Sequence, residues 1–170
     1  MPLPSFYTTT QWVADYIEYQ RKYATQARES DRAFIKLIKE AGKPDMKLLD
    51  IGCNTGNLLR LIQREFPASV LSGLDIVPDF VLEAGGASKN IQYEIGDMCS
   101  YKAESPLDVI TFNAAMMCLS DAELLSALMA AKKNLAKGGT LIAFDFFHPY
   151  CQNMEVREFS GEDQVLPMRS

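Results

Sequence analysis

LLDIGCNTGNLL, Leu48 to Leu59, decides how the chain folds. An apolar run, MKLLDIG, reads as a buried strand and passes straight into a loop carrying Gly52 and Gly56. The helical pattern NLLRLIQREF follows at once and stops at Pro67. A strand, glycine loop and helix in that order bring backbone close to a ligand and aim the helix's first N–H groups at it. Downstream the alternation continues. SVLSGLDIV reads as a second strand and PDFVLEAGG as a short helix with glycines beyond its end. NIQYEIGD and PLDVITFN read as third and fourth strands. Ser120, with Glu123 three residues on, opens a helix whose predicted buried face is Leu124, Leu125, Leu128, Ala131 and Leu135. Gly138-Gly139 is the predicted stop, and TLIAFDFF the fifth strand. Strands and helices at this spacing predict an α/β fold: a doubly wound, mostly parallel sheet with helices on both faces.

Upstream, residues 1–45 read as a helical cap, distinct from a sheet domain over 46–170. One helix is predicted from Gln11 to Ala24, with Tyr16, Tyr19 and Tyr23 on one face, read as core. A second carries the stripe Phe34, Leu37, Ile38 and Ala41, capped by Ser30 and stopped by Gly42 and Pro44. After the fifth strand the tail has no clear period. Ser160–Ser170 reads as too polar and proline-broken for a strand, which leaves the fifth strand as an exposed edge. That edge predicts self-association, and the short tail a domain incomplete at its C-terminal end.

The chain has 170 residues and a net charge of −5. An acidic balance disfavours nucleic acid, and no apolar run is long enough to span a membrane. The N-terminus shows no signal-peptide pattern. Cys53, Cys99, Cys118 and Cys151 form no CxxC pair, so neither a metal site nor a disulfide framework is expected, and a cytoplasmic location is.

The glycine spacing separates two ligand classes. A dinucleotide loop wants G-x-G-x-x-G. Here Asn54 stands at the middle glycine and Gly56 comes one place early. The segment instead resembles the first motif of the class I S-adenosylmethionine-dependent methyltransferases, an acidic residue followed by G-x-G-x-G. Asp50, Gly52 and Gly56 match, and Asn54 is the residue that best tolerates a left-handed backbone in place of glycine. Asp75, 19 residues after Gly56 at the end of the second strand, matches the family's ribose-binding acid. Asp97 and Met98, in EIGDMCSY, match the segment that meets adenine; LDVITFNAAMMCL matches the one beside the methionine moiety; LAKGGTLIAFDFF matches the turn and fifth strand, with Lys137 where proline is usual.

The resemblance, covering Lys47 to Phe147, implies a Rossmann-like fold, with five of the family's seven strands in evidence. It implies S-adenosylmethionine as cofactor, S-adenosylhomocysteine as product, and a cofactor site of Asp50, Gly52, Cys53, Asn54, Gly56, Asp75, Ile76, Asp97, Met98 and Asn113. It also implies that the N-terminal segment closes over the cofactor, bringing Arg28 or Tyr23 towards the methionine carboxylate. His148, after the fifth strand, is the candidate base, with Asp145 as a further candidate. F-N-A-A after the fourth strand lacks the N-P-P-Y string of the amino-methylating enzymes of DNA and protein glutamine, and no paired-glutamate loop is present. A small-molecule acceptor with an O-, N- or C-nucleophile remains. The competing readings are a non-catalytic methyltransferase-like module and a nucleotide-binding oxidoreductase.

Overall fold

A computed structural model describes residues 10–41, 43–145 and two later strands, 154–159 and 163–168. Helices α1 (Thr10–Arg21) and α2 (Glu29–Ala41) precede an alternating series. It runs β1 (Lys47–Ile51), α3 (Asn57–Glu65), β2 (Val70–Asp75), α4 (Pro78–Ala87), β3 (Gln92–Ile95), β4 (Leu107–Asn113), α5 (Asp121–Asn134) and β5 (Leu135–Phe144). A single 3-10 turn, Met116–Cys118, joins β4 to α5. The strands form one parallel sheet ordered β3-β2-β1-β4-β5, the predicted doubly wound α/β architecture.

Alternation along β1 explains why the sheet is covered on both faces. Leu48 packs with Phe34 and Ile38 of α2 and with Leu58, Leu59 and Ile62 of α3. Leu49 and Ile51 point the other way, to Phe112, Ala127 and Ala131. The order of the strands reverses at β1, between β2 and β4. Crevices at the carboxyl ends of strands open at such a switch point.

Several local expectations are corrected. Gly85 and Gly86 lie inside α4 rather than beyond it. Alpha-helix α2 starts at Glu29, and the Arg28 N–H is taken by the Asp31 carboxylate at 2.8 Å, so Ser30 is not the cap. Leu37 is exposed. On α5 the capping box of Ser120 and Glu123 forms and Ala131 is buried as predicted, but Ala127 and Asn134 are the other buried residues, whereas Leu125 is 61% exposed. Small side chains let the helix approach the sheet closely; Leu124 packs only partly against the core, and Leu125 and Leu128 are left outside. Gly138-Gly139 does not stop α5. Leu107 pairs with Leu135 and then Val109 with Thr140, so Ala136–Gly139 bulges out of β5, with Gly138 at φ 79°.

The tail is also corrected. Beta-strands β6 (Met154–Phe159) and β7 (Asp163–Met168) form a separate antiparallel hairpin. Pro167 is accommodated because a two-stranded ribbon has no central strand whose ladder a missing N–H would break. Among the described residues β5 pairs on one side only, with β4. None of the described helices is long and apolar enough to cross a membrane.

Candidate functional site

A pocket opens at the carboxyl ends of β1, β2 and β4. Its floor comes from the loop after β1. Gly52 and Gly56 adopt φ of 73° and 76°, and Asn54 adopts 51°. The left-handed Asn54 is what its side chain permits; its Oδ1 accepts from the Thr55 N–H at 2.7 Å. A β-carbon on Gly52 would lie 2.4 Å from that of Ala115, so only glycine lets the loop pass β4's end. Ala114, beside it, also has a positive φ of 54°. A strained non-glycine residue at a pocket wall commonly accompanies function.

Asp75, at the end of β2, is buried and lines the pocket. One carboxylate oxygen accepts the Asn54 N–H at 2.8 Å and the other the Val77 N–H at 3.0 Å. Each oxygen thus keeps a lone pair for a ligand hydroxyl. Burial raises its carboxyl above the usual range, while the Val77 and Asn54 N–H groups pull it down. Asp50 is 2% exposed and accepts from the Thr111 hydroxyl at 2.7 Å, across the β1–β4 register. Its carboxyl is pushed up to about 7, first by burial and then by the charges of Asp75 and Asp31, against the Thr111 hydrogen bond.

Of the residues expected at the site, Asp50, Gly52, Cys53, Asn54, Asp75, Ile76, Met98 and Asn113 line this one pocket. Gly56 and Asp97 do not. Gly56 packs against Tyr93, where a β-carbon would fall 2.4 Å from the phenol oxygen. Asp97 accepts the Cys99 N–H at 2.8 Å and turns the loop that presents Gly96 and Met98. Asp145 accepts the Met116 N–H at 2.7 Å, fastening the 3-10 turn that follows β4. His148 lies outside the described residues.

The other wall is N-terminal. Tyr16, Gln20 and Arg28 line the same pocket. Tyr16 therefore belongs to the pocket as well as to an aromatic cluster, stacked on Trp12 at 4.9 Å and tilted against Phe80 at 5.7 Å. The end of α1 is fixed to the glycine loop's helix: Asn57 Nδ2 donates to the Gln20 carbonyl at 2.9 Å and to Gln20 Oε1 at 3.1 Å. Sequence reasoning missed Gln20, Asn57 and Phe80, whose roles come from tertiary docking rather than motif spacing.

A family model described as "Methyltransferase domain" matches residues 48–139. Trans-aconitate 2-methyltransferase of Klebsiella pneumoniae is 32% identical over 94 residues, 55% of this chain and 36% of that protein. The chain thus spans well under half the length of this curated relative. The SAM-bound amino pentose methyltransferase from Micromonospora echinaspora superposes with a TM-score of 0.66 at 26% identity, over 83% of this chain and 63% of that one. A sugar N-methyltransferase from Streptoalloteichus gives 0.68 at 20% identity, over 84% and 60%.

Proposed function

The chain belongs to the methyltransferase-domain family, and from that premise we propose that its pocket binds S-adenosylmethionine for methyl transfer to a small-molecule acceptor. Asp75 carries the reading: a buried carboxylate at the end of β2, oriented by two backbone N–H groups and open to the pocket. It suits a ribose diol, whose two hydroxyls are both donors. The loop from Gly52 to Asn54 supplies the close backbone surface that a bulky cofactor needs, since any side chain at Gly52 is already excluded. Ile76 and Met98 are the apolar walls for adenine, and Asn113 with Ala114 bounds the end where the acceptor enters. The bound cofactor supplies the activated methyl group. The protein's task is to hold the acceptor in line and keep water out, so no dedicated catalytic constellation is required. The small-molecule class draws support from the names of the relatives, an organic acid and sugar methyltransferases.

Calorimetric titration with S-adenosylhomocysteine tests this, beside a titration with NAD. Binding of the first and not the second is expected. Asp75→Ala should weaken it by about 1–3 kcal/mol, the cost of a lost charge-assisted acceptor. Asp75→Asn is the companion variant. It retains one acceptor for a backbone N–H but sets an NH2 against the other, so it too should lose affinity. A folded protein that gives no heat with S-adenosylhomocysteine, or a folded Asp75 variant with unchanged affinity, refutes the assignment.

A further inference from the structure

Asp31 is 1% exposed in the first turn of α2. One of its oxygens accepts the Arg28 backbone N–H at 2.8 Å and lies 3.4 Å from Arg28 Nε. The other oxygen is buried with no hydrogen-bond partner. Closing the turn accounts for a single acceptor, a task that asparagine or serine performs without a buried charge. It does not account for an ionisable group with an orphaned oxygen, an expensive arrangement unless the charge is used.

The use lies in Arg28. Its guanidinium stands 5.3 Å from the Tyr23 ring centroid, with Nε turned to Asp31. Neither terminal nitrogen has a hydrogen bond to the described residues, and the side chain lines the same pocket as Asp50 and Gly52. Among the described residues it is the pocket's one basic side chain. A free arginine samples many rotamers, and fixing it on a ligand costs entropy. Here an aromatic face and a buried carboxylate hold the stem before any ligand arrives. The fork of donors left over matches a carboxylate.

We infer that Asp31 is a positioning residue: its charge fixes Arg28 so that the guanidinium is preset for the carboxylate of the ligand's amino-acid moiety. This rests on the cofactor reading above, and deepens it. Asp31 touches no ligand itself. It also counters the charge of Arg28, so the pocket offers a donor fork without becoming a general anion trap.

Two ligands read the effect in the intact chain: S-adenosylhomocysteine, and 5′-methylthioadenosine, which keeps adenine, ribose and sulfur but lacks the amino-acid moiety. Asp31→Asn keeps the turn's acceptor and removes the charge. It should weaken S-adenosylhomocysteine about tenfold and leave 5′-methylthioadenosine unchanged. In an Arg28→Ala background the same substitution should have no further effect on either ligand. If Asp31 only closes the turn, Asp31→Asn will leave both affinities unchanged, or weaken both equally through a loosened α2; either result overturns the inference. A persisting effect without Arg28 overturns it as well. Failure of the wild-type chain to bind either ligand refutes the cofactor reading, and this inference with it. Normal wild-type binding with an indifferent Asp31→Asn refutes the inference alone. Thermal unfolding of each variant checks that the fold survives.

Discussion

Gly56→Ala separates a glycine that serves the fold from one that serves the ligand. Gly56 belongs to the glycine motif yet does not line the pocket. At φ 76°, an alanine there costs about 1–2 kcal/mol for its backbone alone. Its β-carbon would also lie 2.4 Å from the Tyr93 oxygen, 2.9 Å from Cζ and 3.0 Å from Cε1. Tyr93 also packs closely over Gly73, where an added β-carbon would meet its Cδ1 at 2.8 Å, so its ring is hemmed in by backbone there. Overpacking of this kind costs about 1–3 kcal/mol. The total is about 2–5 kcal/mol, a fall in Tm of about 10 °C near the middle of that range for a chain of this length. Thermal and urea unfolding measure it. Tyr93→Phe in the Gly56→Ala background removes the nearest clashing atom and should restore part of the overpacking loss while leaving the backbone cost. Well below the transition, S-adenosylhomocysteine affinity should change less than about threefold, since no pocket-lining atom is altered. Undiminished stability refutes the steric argument, as does a loss that Tyr93→Phe does not reduce. A large affinity loss in a well-folded variant would return Gly56 to the binding site.

Three shorter expectations follow. Gly52→Ala, which meets Ala115 at 2.4 Å inside the pocket, should lower both stability and S-adenosylhomocysteine affinity, and calorimetry showing normal affinity would contradict it. Gly85→Ala and Gly86→Ala sit in α4 with open space around the new β-carbon, so each should raise stability by about 0.5–1 kcal/mol; a loss in urea unfolding would show the helix assignment to be wrong there. Asp50 has its carboxyl raised from 3.8 to about 7, so between those values the native state holds a proton that the unfolded chain has released. Its contribution to stability is full below about pH 4 and is lost as pH rises through 7. Asp50→Asn keeps an acceptor for Thr111 and removes the titration, so it should gain on wild type by on the order of 2–4 kcal/mol between pH 5 and pH 8 in ligand-free unfolding, and a pH-independent difference would refute the reading.

The sheet was legible in the sequence because each of its determinants is local. An apolar run ending in a glycine loop needs no knowledge of distant residues, and Asn54 could be placed in the left-handed region from its own side chain. Asp75 could be placed at the strand end from the apolar run before it and its spacing from Gly56, and the structure puts it in the pocket. Periodicity failed where packing distance, not hydrophobicity, decides which side chain is buried. On α5 the stripe rule rightly selects Ala131, but it also selects Leu125 and Leu128, which are exposed, and it misses Ala127, which is buried beside Ala131. It failed again at the β5 bulge, where a Gly-Gly pair that looks like a helix stop instead lets a strand shift register, and a β-carbon on Gly139 would fall about 3 Å from the Leu107 and Asp108 carbonyls.

The pocket divides along the same line. Its sheet wall, Asp50 to Asn54 with Asp75, was written in motif spacing. Its N-terminal wall was legible only as a family habit attached to Arg28 and Tyr23, and the residues that fix this wall carry no spacing rule. Gln20 reaches the site because Asn57 is there to take its carbonyl, 37 residues away. Arg21 holds Glu83 of α4 at 2.8 Å, and Arg28 is turned by Asp31 and Tyr23. The Gln20 and Arg21 contacts tie the end of α1 to α3 and α4, the helices that follow the loops after β1 and β2, while the Arg28 contacts orient its side chain within the segment. The sheet wall presents buried carboxylates, and the N-terminal wall presents the guanidinium. Only their apposition makes a site with both an acceptor pair for hydroxyls and a donor fork for a carboxylate, so the charge pattern that selects the ligand is a property of the tertiary fold.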